Sequence, residues 1–568
     1  MSKPVNDGNR EPEVENNERG CPVPLGRHGQ VVPWVILMVV VAGHGIYQCT
    51  KFVSECAEAD SAGYLVLAER MAAGLPLAVE EQDPLVCHEH FWVENGQGKT
   101  VPKYPPGQPL LMAAAIWLSG RTLAFALNPL FGTLALLGAY LLFRLWTSAT
   151  ASLLATFALA SNPTYLFYTS YPLSHSADVF LITWGMFFLW KWVRAPHAGW
   201  GLGAGLFLGY SQFVRPANAL LVLSVLAAVA FALVERKGRG VKWLHLLALP
   251  AAYAIFPILH LAYNASVFGH PLTTGYALSG EQSGFSFPFL KRNASYALSI
   301  LSSLGLSIYF GIGLVGILTD KDRRDVVLKL LWVVPIFLLY AAYYWAPRLN
   351  QGGYARFFLG LFPVVVGSAF ALLDRVWSSD WRRYALPAGL CAIVFLIRLP
   401  EAIRGMNQNG AMRAQVRRKA VAAAETHLTR GSIIFSTYPV LWHVGRGNGF
   451  RIYDLAAFGD EYLRDAFYPH TDGAVRWQKK RRNRFVAFYN RNADRLEQLL
   501  RERVRSFLAD GRQVVFLIPS GLIGECEELL GTRFKLVLKV DWEASARRRW
   551  GLHAVEMSSF GAPEDVGL

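Results

Sequence analysis

The chain has 568 residues, of which 53% are hydrophobic and only 17% are charged, whereas soluble domains usually have about 25% charged residues. Together with a mean hydropathy of +0.26, this excludes an ordinary soluble protein, and apolar runs of bilayer-crossing length predict a polytopic α-helical membrane protein. The formal net charge of +15 does not require nucleic acid, because Lys and Arg concentrate in short loops and in the C-terminal region, where anionic lipid is the simpler partner. We therefore expect a membrane partner and no nucleic acid.

The N-terminal region changes from polar to apolar near residue 31. Residues 1–30 are rich in Asn, Glu, Gly and Pro, which predicts a disordered cytoplasmic tail. The apolar run Val31–Gln48 lacks a small-residue cleavage pattern, so we interpret it as a retained signal anchor. It begins a predicted transmembrane domain over residues 31–400, with a first outer loop at residues 49–121.

About eleven apolar segments have the usual spanning length of roughly 17–25 residues. They lie near residues 31–48, 122–145, 149–168, 177–193, 199–214, 217–234, 243–263, 296–318, 326–345, 357–373 and 385–400. A shorter apolar stretch between Pro109 and Gly120 predicts an interfacial helix.

Five short loops on one side of this pattern are basic, and the positive-inside rule assigns that side to the cytoplasm. They contain Arg144, Lys191 with Arg194, residues 235–239, residues 321–324, and Arg375 with Arg382 and Arg383. The expectation is a multi-pass protein of the cell inner (plasma) membrane with its N-terminus in the cytoplasm and its C-terminal domain outside.

The C-terminal region, residues 405–568, has a different pattern. Short β-branched runs at residues 432–435, 514–518 and 534–538 alternate with polar helix-like stretches, which predicts a soluble, extracytoplasmic α/β domain. Basic runs at residues 479–482 and 547–549 each adjoin a tryptophan. Both a membrane-docking surface and an ordinary solvated face fit these runs.

Two features of the first outer loop leave disulfide and metal chemistry open. Cys56 and Cys87 are able to pair if that side is oxidising, but spacing alone does not establish the bridge. The run Cys87-His88-Glu89-His90 has ligand-type residues. Adjacent residues rarely converge on one ion, however, and the spacing fits no zinc pattern. No cofactor is required, and a divalent metal remains an open alternative.

Asp60 begins a segment in which Tyr64, Leu67, Ala68, Met71 and Leu75 follow at helical spacing. This stripe predicts a helix that lies flat with its apolar side towards the bilayer and ends at Gly74. Asp60 is either a simple N-cap or a catalytic carboxylate at the membrane surface, and the two roles do not exclude each other.

Further along the same loop, Lys103-Tyr104-Pro105-Pro106-Gly107 combines a cation and a phenol with a rigid turn. Lys103 and Tyr104 are placed to bind a phosphate at headgroup level. Interfacial anchoring is the simpler alternative for these two residue types.

Four other polar residues lie where apolar spans begin or end on the predicted outer side. His175 and Asp178 are three residues apart at the start of a span, where a helix places them on one face and makes them functional candidates. A helix-starting Asp or Ser is the alternative. Arg215 separates two spans, and Arg356 follows Gly352-Gly353-Tyr354-Ala355. Guanidinium groups bind phosphate bidentately, so both arginines are candidate ligands of a lipid phosphate, with membrane anchoring as the alternative.

Together these segments resemble the GT-C superfamily of membrane glycosyltransferases, in particular the branch of the protein O-mannosyltransferases and bacterial aminoarabinose transferases. The pieces that carry the resemblance are Asp60-Ser61-Ala62-Gly63-Tyr64, residues 103–111 beginning Lys103-Tyr104-Pro105-Pro106-Gly107, Arg215-Pro216, Tyr263-Asn264 with residues 268–272, and Gly352-Gly353-Tyr354-Ala355-Arg356. The resemblance covers residues 31–400. Many relatives have Asp-Glu where this chain has Asp60-Ser61, which weakens a metal-binding role.

The resemblance implies a cell-envelope hexosyl- or pentosyltransferase, similar to a mannosyltransferase, that uses a sugar linked to polyprenyl phosphate. The sugar passes with inversion to a lipid, glycan or protein acceptor on the outer side. Asp60 maps onto the family's first-loop carboxylate and is the expected general base, with His175 and Asp178 orienting the acceptor. Lys103, Tyr104, Arg215, Tyr354 and Arg356 are expected to bind the donor and its phosphate. A transporter or flippase of lipid-linked sugar is the main alternative, although the sequence contains no internal repeat of the kind that transporters use.

Overall fold

The computed structural model describes residues 27–56, 59–80, 92–239, 242–279, 281–346, 351–376, 382–405, 419–420, 422–436, 450–455, 495–545 and 548–557. Most of the predicted tail, the run Cys87–His90 and the basic run at residues 479–482 lie outside these ranges. The predicted Cys56–Cys87 bridge is untested for the same reason. The first helix begins at Arg27, so the last four residues that composition assigns to the tail are helical.

The membrane region is built from helices. In chain order they are α1 Arg27–Lys51, α2 Ala59–Ala72, α3 Gly107–Ser119, α4 Arg121–Phe143, α5 Ala149–Ala160, α6 Pro163–Ser170, α7 His175–Arg194, α8 Ala198–Val214, α9 Val222–Arg239, α10 Trp243–Phe268, α11 Gly275–Leu278, α12 Phe287–Ile300, α13 Ile308–Leu318, α14 Arg323–Ala341, α15 Gln351–Ala355, α16 Phe362–Val376 and α17 Arg382–Gly405. Tight 3₁₀ turns at Pro216–Leu221 and Arg356–Leu361 lead directly into α9 and α16.

Several of these helices are suited to cross a bilayer. By length and apolar composition, five segments of the described chain qualify: Val32–Lys51, Arg121–Phe143, Pro216–Val234, Trp243–Phe268 and Gly352–Val376. A sixth qualifies if the bent pair Phe287–Gly305 and Ile308–Leu318 is one span. The structure therefore confirms a mostly helical membrane protein, while the number eleven stays a prediction.

Helices α8 and α10 pack closely because the facing side of α8 carries small residues. Gly201, Gly205 and Gly209 lie one turn apart on that side. A Cβ atom at Gly205 would lie 2.6 Å from the Leu249 carbonyl oxygen, so only glycine permits this approach. Helix α7 packs on α8 and on α4.

Two segments that hydropathy treats as continuous spans are interrupted. The segment predicted at residues 149–168 forms α5 and α6, because the Asn162 side chain accepts from the Tyr165 amide and Pro163 fits the first turn of a new helix. The segment predicted at residues 296–318 bends by 114° between Gly305 and Ile308. Side chains satisfy the carbonyls freed at this bend: Arg398 donates to Ser303 and Leu304, and Asn162 donates to Gly305.

The C-terminal region forms an α/β domain, as the sequence predicts. The first loop holds an antiparallel pair, β1 Trp92–Glu94 and β2 Thr100–Pro102. The strands of the C-terminal domain are β3 Ile433–Ser436, β4 Arg451–Asp454, β5 Val514–Pro519, β6 Phe534–Ser545 and β7 Arg548–Met557, in the order β4-β3-β5-β7-β6. The pairs β4–β3 and β3–β5 are parallel, whereas β7 runs antiparallel to both of its neighbours. Helices Leu496–Ala509 and Ile523–Leu530 cover the face that carries Phe435, Tyr453 and Phe516.

Candidate active site

Asp60 lies in the first turn of α2 and is bound from two distant parts of the chain. The Tyr104 hydroxyl donates to Asp60 Oδ1 at 2.6 Å. The Arg356 guanidinium lies 3.7 Å from Oδ2. The Asp60 side chain keeps 35% of its surface exposed, whereas that of Arg356 keeps 12%. Asp60 therefore contacts side chains outside its own helix, and part of its surface stays open to solvent.

The apolar side of α2 faces protein rather than lipid, contrary to the expectation from its pattern. Leu65, Val66, Leu67 and Ala68 are buried around the whole helix, and α2 packs against α3. Gly74 adopts a left-handed φ of 62° just after the helix, as predicted for its end. Packing on several sides fixes the direction in which Asp60 points.

Tyr104 is buried between other tyrosines. Its ring centroid lies 4.6 Å from that of Tyr64 and 6.4 Å from that of Tyr276. Burial, and then the nearby Asp60 carboxylate, raise the pKa of Tyr104 well above its usual range. The hydroxyl therefore stays protonated and can donate to Asp60 at any physiological pH.

Lys103 forms an ion pair with Glu281, a residue that sequence reasoning missed. The Lys103 side chain is 7% exposed and that of Glu281 is 13% exposed. Burial, followed by the charges of Tyr64, Glu281 and Asp60, raises the pKa of Tyr276 well above its usual range. Both carboxylates thus lie within electrostatic range of one phenol. The sequence does single out Glu281 in one respect, because it is the only acidic residue between the predicted spans at residues 243–263 and 296–318.

Arg215 is the centre of a second polar group at the start of α7. Its Nε lies 3.6 Å from Asp178 Oδ2, and its Nη1 donates to His175 Nδ1 at 2.9 Å. Its Nη2 donates to the Tyr340 hydroxyl at 2.7 Å. The predicted residues His175, Asp178 and Arg215 are therefore brought together by α7, α8 and α14.

Asp178 is enclosed within this group. Its side chain is 6% exposed, and its Oδ1 accepts from the Asn218 amide in the turn after Arg215. Tyr64 connects the two groups, since its hydroxyl lies 3.3 Å from Ser174 Oγ, which also accepts from Arg215 at 3.4 Å. The structure thus joins most of the predicted site residues, but Asp60 and Asp178 have different environments.

Tyr354 and Arg356 occupy different positions although they are two residues apart. Tyr354 is fully buried, stacks on Tyr296 with centroids 5.8 Å apart, and donates to the Tyr340 carbonyl at 3.0 Å. Arg356 packs its guanidinium over the Trp345 ring at 5.3 Å and faces Asp60. Tyr354 therefore packs in the protein interior and holds the Tyr340 backbone.

Within the ranges that the structure describes, no group of three or more His, Cys, Asp or Glu side chains gathers as a metal centre would require. Asp60 and Glu281 each have cationic partners, Arg356 and Lys103. The open question of a divalent metal therefore gains no support from the described side chains.

The predicted cytoplasmic loops meet at one end of the helix bundle. Arg194 lies 3.3 Å from Asp325, and Arg375 lies 3.9 Å from Asp320. Lys329 also pairs with Asp320 and is fully buried. The separation of the loops into two sets therefore agrees with their contacts, whereas the assignment of this end to the cytoplasm stays a prediction.

Comparison with known proteins gives this arrangement a context. A family model described as oligosaccharyl transferase STT3, N-terminal, matches residues 97–275, less than half of the chain. The structure is similar to ArnT from Cupriavidus metallidurans bound to undecaprenyl phosphate, with a TM-score of 0.52, 12% identity, and coverage of 95% of this chain and 100% of that chain. The chain has the fold of the GT-C membrane glycosyltransferases.

Other comparisons agree with this fold to different extents. The apo state of the same ArnT gives a TM-score of 0.51 at 13% identity, with coverage of 92% of this chain and 98% of that one. The Archaeoglobus fulgidus oligosaccharyltransferase in its apo form gives 0.47 at 14% identity, covering 95% and 76%, and at that score it carries no argument. No curated protein sequence matches the chain. The sequence-based resemblance is thus confirmed at the level of fold.

Proposed function

We propose that this protein is a glycosyltransferase that moves a hexose or pentose from a polyprenyl-phosphate-linked donor to a lipid, glycan or protein acceptor on the outer side of the inner membrane. The GT-C fold and the STT3 family match support the reaction class. The ArnT of similar fold binds undecaprenyl phosphate, which supports a donor of this lipid class. The single observation that carries the proposal is the exposed Asp60 carboxylate between Tyr104 and Arg356.

Asp60 acts as the general base. The acceptor hydroxyl oxygen attacks the anomeric carbon while the bond from that carbon to the phosphate oxygen breaks and its electron pair leaves with the phosphate. The hydroxyl proton passes to Asp60, which is the partly exposed carboxylate of the group. A single displacement of this kind needs one base and inverts the anomeric configuration.

The cations around Asp60 neutralise the departing phosphate. Lys103 lies over the rings of Tyr104 and Tyr276, and Arg356 faces Asp60, the carboxylate to which Tyr104 donates. Negative charge on the leaving phosphate grows as the glycosidic bond breaks, so fixed cations favour the transition state over the ground state. Arg215 already has Asp178 and His175 as partners.

The residues at the start of α7 orient the acceptor side of the site. Asp178 holds Arg215 and Asn218 in place, and His175 packs against Phe357, which adjoins Arg356. Tyr354 acts indirectly, because it holds the Tyr340 backbone while the Tyr340 hydroxyl accepts from Arg215. We therefore assign positioning roles to Asp178 and Tyr354.

Replacement of the base tests the proposal. In purified protein reconstituted with undecaprenyl-phosphate-linked hexoses and pentoses, Asp60→Asn should lower transfer by about a hundredfold or more, the usual contribution of a general base. Binding of undecaprenyl phosphate should persist. The matched control is Glu80→Gln, which removes a carboxylate of the same outer loop that pairs with Lys99 on the surface.

Two results would count against the proposal. Transfer by Asp60→Asn at the wild-type rate would remove the base assignment. Movement of the lipid across a vesicle by the wild type without any new glycosidic bond would favour the transporter alternative.

A further inference from the structure

The segment that follows α10 closes directly over Lys103. Gly275 begins α11 at this contact, and a Cβ atom there would lie 2.2 Å from the Lys103 carbonyl oxygen, so only glycine allows the approach. Thr274 caps the short helix by accepting from the Ala277 amide. The backbone of this segment is therefore fixed against the residue that we assign to the donor phosphate.

The Lys103 ammonium is enclosed by side chains from both segments. Its Nζ lies 5.6 Å from the centroid of the Tyr104 ring and 5.9 Å from that of the Tyr276 ring. The Glu281 carboxylate completes the enclosure as the anionic partner. Two aromatic faces and one anion are the surroundings that an ammonium ion needs when it leaves water.

The position of Glu281 is held from the other side of the site. The Tyr344 amide donates to the Gly284 carbonyl at 2.7 Å, and the Ser286 amide donates to the Ala342 carbonyl at 3.0 Å. Glu281 thus lies in a 3₁₀ turn between Lys103 and the segment that leads to Arg356. A carboxylate that leaves Lys103 stays tethered at the edge of the same site.

We propose that Glu281 occupies the place of the donor phosphate on Lys103 and is exchanged for that phosphate when the donor binds. This inference rests on the proposed function, since it names the competitor for its phosphate ligand. A carboxylate and the phosphodiester of a polyprenyl-phosphate sugar each carry one negative charge, so Lys103 keeps a singly charged anion as its direct partner after the exchange. Without an anion, the enclosed ammonium would lack a counter-ion, and Glu281 supplies one until the donor arrives.

The exchange has a measurable consequence for affinity. A donor must separate Lys103 from Glu281 before it binds, and this cost lowers its apparent affinity. A purely structural ion pair would behave in the opposite way, because its loss would loosen the site and weaken binding. The sign of the change in affinity therefore separates the two roles.

The test uses full-length protein in lipid nanodiscs titrated with undecaprenyl phosphate. Glu281→Gln keeps the shape and removes the charge, so the dissociation constant should fall by about fivefold or more, a typical coupling between two interacting groups. Glu80→Gln removes the exposed partner of Lys99 and should leave the dissociation constant unchanged. Lys103→Met should bind undecaprenyl phosphate weakly. When Glu281→Gln is added to Lys103→Met, the affinity for undecaprenyl phosphate should not increase.

Each outcome has a defined meaning. Weaker or unchanged binding by Glu281→Gln, in protein whose thermal unfolding midpoint equals that of the wild type, overturns the exchange. If Glu281→Gln lowers the midpoint, Glu281→Asp decides instead. Its shorter carboxylate should pair less well with Lys103, so this variant should bind undecaprenyl phosphate more tightly than the wild type does. If the wild type transfers sugar and neither variant changes the dissociation constant for undecaprenyl phosphate, the proposed function stays intact and the exchange alone is refuted. A wild type that does not bind undecaprenyl phosphate would refute the donor class.

Discussion

The two aspartates of the site differ in what a substrate can reach. Asp60 keeps a third of its surface exposed, while Asp178 is enclosed by Arg215 and Asn218. A group that accepts a proton from a substrate must come within hydrogen-bonding distance of it. The exposure of each carboxylate therefore supports the roles that we propose, a reactive one for Asp60 and a positioning one for Asp178.

Tyr104 is the residue whose removal tests how Asp60 is held. Tyr104→Phe deletes the hydroxyl that donates to Asp60 Oδ1 and keeps the ring that packs on Tyr64. Hydrogen bonds to charged groups contribute about 1.5–3 kcal/mol, so the transfer rate should fall by about tenfold to a hundredfold. Because the raised pKa keeps the Tyr104 hydroxyl protonated, the high-pH limb of the rate profile should be the same in both proteins.

The control for this prediction is Tyr210→Phe, which deletes a hydroxyl that donates at 2.9 Å to the carbonyl of Gly107, three residues after Tyr104, and not to Asp60. It should lower stability without a comparable loss of transfer. Equal losses of transfer in the two variants would mean that Tyr104 acts through the fold alone.

At the scale of helices, the site depends on how closely the helix ends on the Asp60 side of the bundle approach one another. Helix α7 supplies His175 and Asp178, and the end of α8 leads into Arg215. The glycine side of α8 sets its distance to α10, from whose C-terminal end the chain runs to Glu281. Small residues in the interior of the bundle therefore determine where charged residues stand at its surface.

Gly205→Ala tests this close contact between α8 and α10. The added methyl group would lie 2.6 Å from both the Leu249 carbonyl oxygen and the Ala252 Cβ, so α8 and α10 must separate. Overpacking of this kind costs about 1–3 kcal/mol, and the midpoint of unfolding in detergent should fall. Gly311→Ala in α13 is the matched control, because nothing lies within 4 Å of a Cβ atom at position 311. Its midpoint should be unchanged or higher, since alanine favours helix, and a fall equal to that of Gly205→Ala would refute the argument.

The sequence predicts these elements better than it predicts their interruptions. Hydropathy locates the helices, and the β-branched runs locate β3, β5 and β6, because both signals are local. The bend before Ile308 is different, because Arg398 and Asn162, far away in the chain, satisfy the carbonyls that it frees. For the same reason Asp60, Lys103 and Arg215 are identifiable one by one, whereas the pairing of Lys103 with Glu281 requires the fold.

At the scale of the whole molecule, the two ends of the bundle have different polar chemistry. At the end with the basic loops, Asp374 accepts from Thr147 and from Ser148, and Lys329 lies over the Trp146 ring. The Asp374 carboxylate and the Lys329 ammonium therefore have partners within the protein. At the other end Asp60 keeps an exposed surface beside Arg356, which suits that end for binding a substrate.

The orientation of these ends follows from the positive-inside rule and is testable by thiol labelling. Cys49 is exposed at the end of α1 on the side of Asp60. In a variant whose only cysteine is Cys49, a membrane-impermeant maleimide should label intact cells. In a cysteine-free background, Lys321→Cys places a thiol at an exposed position of a basic loop, and it should react only after the membrane is opened.

Cys526 gives the control that separates burial from membrane shielding. It lies in the α/β domain, where burial, with smaller contributions from Glu525 and Glu527, raises the pKa of its thiol to about 12. Reaction requires the thiolate, so a variant whose only cysteine is Cys526 should stay unlabelled until denaturant is added, whether or not the membrane is open. Labelling of the thiol at position 321 in intact cells, together with protection of Cys49, would reverse the orientation. Asp60 would then face the cell interior, and transfer on the outer side would be impossible.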